Sequence, residues 1–493
     1  MVTSNLAHRI EEYDEEQIVA HESPAKYCSV ALSDVIARGK RLEASVFDVE
    51  AMQARMYVLN GKYGAGILGG DCGLIKSAYY PGRFKRVYCD RTNGKAFFLP
   101  SQMTDVYPKA EKYISSITKC DLKELELKPN TLLLTRSGTI GTVSLVSKTI
   151  QGKVYSDDVI RVQFKERYDL GFVYAFFRTS VGNKILTRNG YGAVITHIEP
   201  EHLATIPIPD APAMLKNTIH HLIEQSYALR DTSNDLIDEA TALLVKELNL
   251  SPMDDIAPNF YEKAAKVDTF SVPLSRLAGR LEASYHVPVV EAVMEYLKQS
   301  AAEVTTIGDP RISREVILPG RFKRIYVDEG HGRVFIGGKQ LYELDPVNKK
   351  YLSNVHHGSR ISKQLELHEN MTLITCSGTI GKVTLVPKHW ENWAANQHII
   401  RIVPTSDDMA GYLYIFLASD YAQPLIRRFT YGSVVDEIDD HHVRSIAVPL
   451  LKDHAAQKKI NDLAMAANAK RYEAYCLEQE ALKILNEQVI FAK

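Results

Sequence analysis

The sequence predicts an α+β protein in which two pseudo-repeated mixed α/β halves are separated by two long helices. Those helices are expected to form an intramolecular antiparallel coiled coil. Three observations predict this. Ser137-Gly138-Thr139-Ile140-Gly141 returns as Ser377-Gly378-Thr379-Ile380-Gly381. Each copy stands between β-rich runs, 132–135 and 143–146, then 372–375 and 383–386, which read as strand-turn-strand. Further stretches recur in the same order at an offset of about 240 residues, the mark of an internal repeat. Leu215, Leu222, Leu229, Leu236, Leu243 and Leu250 fall at every seventh position, a heptad sustained long enough for a coiled coil.

Composition sets the class. With 493 residues the chain exceeds one ordinary core, and its 45% hydrophobic and 24% charged residues are those of a soluble globular protein. No apolar run approaches the roughly 18 residues a membrane span needs. Residues 1–26 form an acidic leader with Glu11, Glu12, Asp14, Glu15 and Glu16, unlike a signal peptide. Cys28, Cys72, Cys89, Cys120, Cys376 and Cys476 form no CxxC pair. Neither disulfides nor structural zinc are expected, and a reducing cytoplasm fits. The net charge of −1 conceals an uneven distribution. Residues 41–210 and 311–435 are modestly basic, and the segments joining them are acidic, which is compatible with two DNA-facing bodies.

Taken in order, Cys28-Ser29-Val30-Ala31-Leu32-Ser33 matches Phe270-Ser271-Val272-Pro273-Leu274-Ser275. Arg41-Leu42-Glu43-Ala44-Ser45 matches Arg280-Leu281-Glu282-Ala283-Ser284. Pro81-Gly82-Arg83-Phe84-Lys85-Arg86 then answers to Pro319-Gly320-Arg321-Phe322-Lys323-Arg324, and the strand at 94–98 to that at 332–336. After the SGTIG unit come paired strands at 159–161 and 399–401, and aromatic helical runs at 172–177 and 412–417. Each half exits through Tyr191-Gly192-Ala193-Val194 or Tyr431-Gly432-Ser433-Val434, then a Pro-marked strand ending at Pro207 or Pro449. A long helix follows each. The first seam is Leu215, Leu222, Leu229, Leu236 and Leu243, with Ile219, Ser226, Ser233 and Ala240 between them. The second is Ile460, Leu463, Ala467, Ala474, Leu477, Ala481 and Ile484. Small residues there would let two backbones approach closely. About 35 helical residues span roughly 50 Å, which suits two half-sites a fixed number of base pairs apart, one DNA turn being about 34–36 Å.

Several motifs fail their chemistry. Residues 376–383 lack the Gly and Ser/Thr positions of a phosphate-binding loop. Gly64-Ala65-Gly66-Ile67-Leu68-Gly69 matches GxGxxG without the acidic ribose ligand and helix that should follow, so it is read as a flexible Gly-rich loop. His220-His221, His356-His357 and His441-His442 lack metal-ligand spacing. His202 and His442 occupy matching positions, for which a structural hydrogen bond suffices. No nucleophile–His–acid set occurs in both halves. The basic hexapeptides are more informative: three cations around a Phe, opened by Pro-Gly, make an exposed turn able to reach phosphates.

Together the RLEAS stretch, the Gly-x-x-Phe strand, the SGTIG unit, the Tyr-Gly-small-Val exit and the helix after each half resemble the specificity (S) subunit of type I restriction-modification systems, over nearly all of residues 30–490. The acidic leader departs from that pattern. The resemblance implies target-recognition domains at 30–210 and 259–450 and spacer helices at 211–258 and 451–493, behind a leader at 1–29. It implies no catalytic centre and no cofactor in this chain, with S-adenosylmethionine, ATP and Mg on partner subunits. The implied partners are double-stranded DNA, two methyltransferase subunits docked on the coiled coil (Leu215, Leu222, Leu229, Leu236, Leu243, Ile460, Leu463, Leu477 and Ile484), and restriction/translocase subunits outside.

If the halves read different sequences, what they share cannot carry the difference. SGTIG and PGRFKR (Arg83, Lys85, Arg86; Arg321, Lys323, Arg324) are then scaffold or phosphate-positioning elements. Base readers are expected at Arg91, Asn93, Gln102, Arg136 and Arg188, and at Lys339, Gln340, Asn354 and Asn396, because Arg and Lys suit guanine while Asn and Gln suit adenine. Two other readings stay open: a stand-alone DNA-modifying or DNA-cleaving enzyme, and a coiled-coil interaction protein without DNA binding.

Overall fold

The computed structural model describes residues 29–37, 47–188, 197–256, 269–277 and 279–492. The leader at 1–28, the 41–45 stretch and the 191–194 exit lie outside the described residues.

The chain is a mixed α+β protein. In the first half, β1 (Ala65–Ile67) pairs antiparallel with β10 (Pro207–Pro209). β2 (Ile75–Tyr79), β9 (Val159–Phe164), β6 (Leu132–Thr135) and β7 (Val143–Leu145) form one sheet in that order. β3 (Tyr88–Cys89), β5 (Lys112–Ser115), β4 (Gly94–Phe98) and β8 (Val154–Tyr155) form another. The second half has β11 (Glu303–Thr306) on β20 (Ala447–Leu450). Its two four-stranded sheets run β12 (Ser313–Ile317), β19 (Ile399–Pro404), β16 (Thr372–Thr375), β17 (Val383–Leu385), and β13 (Tyr326–Val327), β15 (Lys350–Ser353), β14 (Gly332–Ile336), β18 (Ala394–Ala395). β6 and β16 are buried at every position, as strands covered on both faces must be. The stretch at 64–69, expected as a flexible loop, is instead an ordered strand edge: Gly66 pairs with Ile208, and a Cβ on Gly69 would lie 2.5 Å from the Ala204 Cα.

The sheets are positioned by helices α1 (Val49–Leu59), α2 (Arg167–Arg178), α3 (Ser180–Arg188), α4 (Ala213–Glu247), α5 (Pro288–Ser300), α6 (Asp407–Ala418), α7 (Ala422–Arg427) and α8 (His454–Leu485). The aromatic runs are the cores of α2 and α6, where Phe172, Phe176, Phe177 and Phe416 are fully buried. α2 docks on α4 through Gly171, whose N–H donates to His220 Nδ1 at 3.2 Å. α6 docks on α8 through Gly411, whose N–H donates to Asn461 Oδ1 at 2.8 Å. A Cβ at Gly171 would meet the His220 Cα at 2.7 Å, and one at Gly411 the Asn461 carbonyl at 2.5 Å, so only glycine permits either approach.

α4 and α8, of 35 and 32 residues, lie side by side. Ser226 Oγ donates to the Ala474 carbonyl at 2.7 Å, Arg471 Nε to Ser233 Oγ at 3.3 Å, and Lys459 Nζ sits 3.3 Å from Glu239. Numbers rise on one helix as they fall on the other, so the pair is antiparallel. In this register Ile219, Ser226, Ser233 and Ala240 face Ala481, Ala474, Ala467 and Ile460, all fully buried. The leucine stripe is therefore not the centre of the seam. Leu215 and Leu222 are half-buried against the first half's core, and Leu236 and Leu243 against the second's; Leu229 and Leu477 are also half-buried. Close backbone approach selects small side chains for the centre, and the larger ones move to the flanks, where they cover the domains.

The halves also touch directly. Val106 N–H donates to the Tyr342 carbonyl at 2.8 Å, and Asp105 bridges Glu343 across an isolated antiparallel pair. Burial pushes both carboxyls up to about 7; Lys382 opposes this at Asp105, and Glu343 adds to it. Ordinary values near 4 hold in the unfolded chain, so the folded state binds protons that the unfolded state releases between roughly pH 4 and 7. The interface should strengthen as pH falls through 7. Thermal melts of Asp105→Asn/Glu343→Gln should show a stability gain over wild type that is larger at pH 8 than at pH 5.5. An equal gain at both would mean the pair does not titrate in this window.

Candidate nucleic-acid interface

In the second half the repeated motifs meet around Glu437. Its carboxylate accepts from Arg321 Nη2 at 3.1 Å and from Ser377 Oγ at 3.5 Å. Its backbone exchanges hydrogen bonds with Tyr431, at 3.0 and 2.8 Å, and Gly378 N–H donates to the Asp436 carbonyl at 2.9 Å. The 319–324 loop, the SGTIG turn and the Tyr-Gly-small-Val exit thus share one surface. In the first half Ser137 bridges His197, and Ile198 N–H donates to the Arg136 carbonyl at 2.8 Å. Sequence reading missed Glu437, because its counterpart is His197 and neither type repeats.

The SGTIG turns are held from both sides. Thr135 Oγ1 donates to the Thr139 carbonyl at 2.7 Å, and Thr375 Oγ1 to Thr379 at 2.6 Å. Asn183 of α3 donates to the Gly141 carbonyl at 2.9 Å, and Gln423 of α7 to Gly381 at 3.0 Å. Gly141 and Gly381 have φ of 85° and 88°, the left-handed region that disfavours a side chain. These turns are clamped scaffold with their peptide groups committed.

The basic hexapeptides divide. Arg83, Lys85, Arg321 and Lys323 are exposed. Arg86 turns inward, over the Phe97 ring at 5.6 Å and onto Asp157 at 2.5 Å. Burial works against its charge, and Asp157 outweighs burial, holding it protonated above the ordinary arginine value. Arg324 likewise lies over Phe335 at 5.9 Å. The third cation of each hexapeptide is thus an internal strut, its guanidinium held on an aromatic face rather than offered to a phosphate.

The expected base readers scatter. Arg136 is buried, stacked 4.2 Å over Tyr80, with Nη2 donating to Glu199 at 2.6 Å. Arg188 is buried at the end of α3. Gln102 and Gln340 are one position in the two halves: each Oε1 accepts a backbone N–H at 3.0 Å, from Leu99 or Gly337, closing a turn. Arg91 pairs with Asp420 at 3.2 Å, across the halves. Asn396 Oδ1 accepts the His398 N–H at 2.9 Å. Arg136, Arg188 and Gln102 are buried, and Gln340 is half-buried with its Oε1 committed to a turn, so these four act as structural side chains rather than base readers. Asn93, Lys339 and Asn354 are exposed. His202 and His442 accept the N–H of Glu199 and Asp439 through Nδ1, at 3.1 and 3.3 Å, as capping residues. Among the described residues no group of three or more His, Cys, Asp and Glu could hold a metal ion.

Residues 329–463 match the family model described as type I restriction modification DNA specificity domain. No curated protein matches the chain. Solved structures similar to it include the type I restriction-modification system S subunit from M. genitalium (14% identity, 84% of this chain and 92% of that one, TM-score 0.26). Another is the HsdS subunit from Thermoanaerobacter tengcongensis (11% identity, 85% and 98%, TM-score 0.26). A third comes from work on complex assembly and conformational transition of the type I R-M system (13% identity, 83% and 98%, TM-score 0.26). At that TM-score the superpositions transfer nothing; the family model covers the SGTIG turn and the 431–437 segment of the second half but not the 319–324 loop. Residues 329–463 thus match a type I restriction modification DNA specificity domain, which makes this half of the chain a candidate DNA-recognition module.

Proposed function

We propose that the chain is a duplicated specificity subunit whose halves, 30–210 and 259–450, each read one part of a split DNA target. α4 and α8 act as the intramolecular antiparallel coiled coil that fixes the distance between those parts. The observation that carries this reading is the same sheet order in both halves, with exposed cations at equivalent places: Arg83 and Lys85 in one, Arg321 and Lys323 in the other. A rod of 35 helical residues is roughly 50 Å long, more than one turn of B-DNA. Methyltransferase subunits, two in number, would dock along the coiled coil, with restriction/translocase subunits outside. S-adenosylmethionine, ATP and Mg belong to those partners. No helix among the described residues is long and apolar enough to cross a membrane, and the cytoplasm is the compartment where DNA and these partners meet.

Binding titrations on duplex DNA test the reading. Replacing Arg83, Lys85, Arg321 and Lys323 by alanine should weaken binding to every sequence. The slope of log K against log salt should become shallower by about 0.9 for each phosphate that is no longer neutralised. Unchanged affinity and slope would remove these side chains from the interface. Methylation or cutting of DNA by the purified chain alone would point to the enzyme reading instead.

A further inference from the structure

The halves follow the same path up to β5 and β15, then part. Ile114 and Leu352 are fully buried at equivalent places, as are Leu125 and Leu365 further on. Between them the first half makes turns and a four-residue helix, Leu122–Leu125, capped by Asp121. The second half instead forms a helix over Asn354–Arg360 that continues, with a wider turn, through Ile361–Leu365. Ile361 and Leu365 root it in a small core with Phe335 and Leu352, against which Phe322 packs. It is also fixed to the basic loop: Ile325 N–H donates to His357 Nε2 at 3.2 Å, and the Arg360 guanidinium lies 4.9 Å over the Phe322 ring. The outer face carries Asn354, Val355, Ser359, Ser362, Lys363 and Gln364, all exposed, Val355 at 89%. No Asp or Glu occurs from 354 to 365, whereas 116–125 contains Asp121 and Glu124.

We propose that the helical segment 354–365 is the element with which the second half reads base edges in the major groove. This rests on the bipartite reading above and names where one half of it is done. The segment continues the cationic surface, differs between the halves as a specificity element must, and offers donors and acceptors without a carboxylate to repel phosphate. An α-helix fits the roughly 12 Å width of the major groove. Asn354 suits adenine, Lys363 guanine, and the solvent-facing Val355 a thymine methyl. Arg360 and His357 are positioning residues that hold the helix on the 319–324 loop.

The test uses the full-length chain and a pool of duplexes of random sequence, bound, recovered and sequenced. Wild type should enrich a two-part sequence. The variant Asn354→Ala/Val355→Ala/Ser359→Ala/Lys363→Ala leaves Ile361 and Leu365 in place. It should lose at least tenfold preference at one part only, with affinity for a single scrambled duplex changed less than threefold. The single variant Lys363→Ala should relax fewer positions of that same part. Ile117→Ala, in the first half's equivalent segment, should leave that part intact. Both parts retained, or both lost together, would overturn the proposal. Wild type that enriches no two-part sequence would overturn the bipartite reading, and this proposal with it.

Discussion

Glu478→Ala should destabilise the protein by about 3–5 kcal/mol, the cost of leaving buried charge without its partner. Glu478 of α8 is 1% exposed and accepts from Arg178 Nε of α2 at 2.8 Å and from the Tyr174 hydroxyl at 3.0 Å. Arg230 of α4 donates to its other oxygen. Arg178 also donates to the Asp345 carbonyl of the second half at 2.8 Å. Burial alone would raise the Glu478 carboxyl, and Arg178 and Arg230 together hold it below its ordinary value instead. Removing it leaves two guanidiniums in a site with side-chain exposures of 7% and 11%. Glu478→Gln keeps the shape and should recover only part of the loss. Replacing all three charged residues by Met or Leu should cost less than Glu478→Ala, since no guanidinium is then left without a carboxylate and only the Tyr174 hydroxyl and the Asp345 group that Arg178 served lose a partner. Urea unfolding of the full chain measures this; a loss under about 1 kcal/mol would mean water reaches the cluster. Because the cluster ties one half, both long helices and the loop of the other half together, its failure should also blur the spacing between half-sites.

Ser226→Leu should cost about 1–3 kcal/mol or more through overpacking, and it should do so by parting α4 from α8. Ser226 and Ala474 meet at full burial, with the hydroxyl on the opposing carbonyl, so no room exists for the larger side chain. On the proposed bipartite reading, wedging the helices changes the distance or angle between the basic loops of the two halves. Selection on duplexes of varied central gap should show a shifted or broadened optimum, with each half-site's sequence unchanged. Ala228→Leu, at an exposed position of the same helix, is the control. Equal behaviour of Ser226→Leu and Ala228→Leu would mean that the seam is not what sets the gap.

Among the described residues the two SGTIG copies are placed alike. SGTIG forms the turn of β6–β7 and of β16–β17, and the long heptad region forms α4. Period and turn chemistry are local, so a sequence states them directly. The centre of the helix seam was half legible. The small residues at Ser226, Ser233, Ala467 and Ala474 form the close approach, and the conspicuous leucines are its flanks. A heptad specifies that two helices pack but not which of its stripes faces the partner, when domains compete for the larger side chains.

Site residues were the least legible. Arg86 and Arg136 have the chemistry of DNA-binding groups, yet carboxylates distant in sequence, Asp157 and Glu199, claim them. Whether an arginine faces solvent depends on what folding brings beside it, and no motif records that. By itself the sequence determined the mixed α+β class, the SGTIG turns and the presence of long helices. Only the tertiary structure decided which cations are exposed and which are buried against carboxylates and rings. It alone decided that the halves touch through Asp105 and Glu343, and that 354–365 rises as a helix where its counterpart does not. These outcomes depend on long-range burial and charge pairing, whose energies are set in three dimensions.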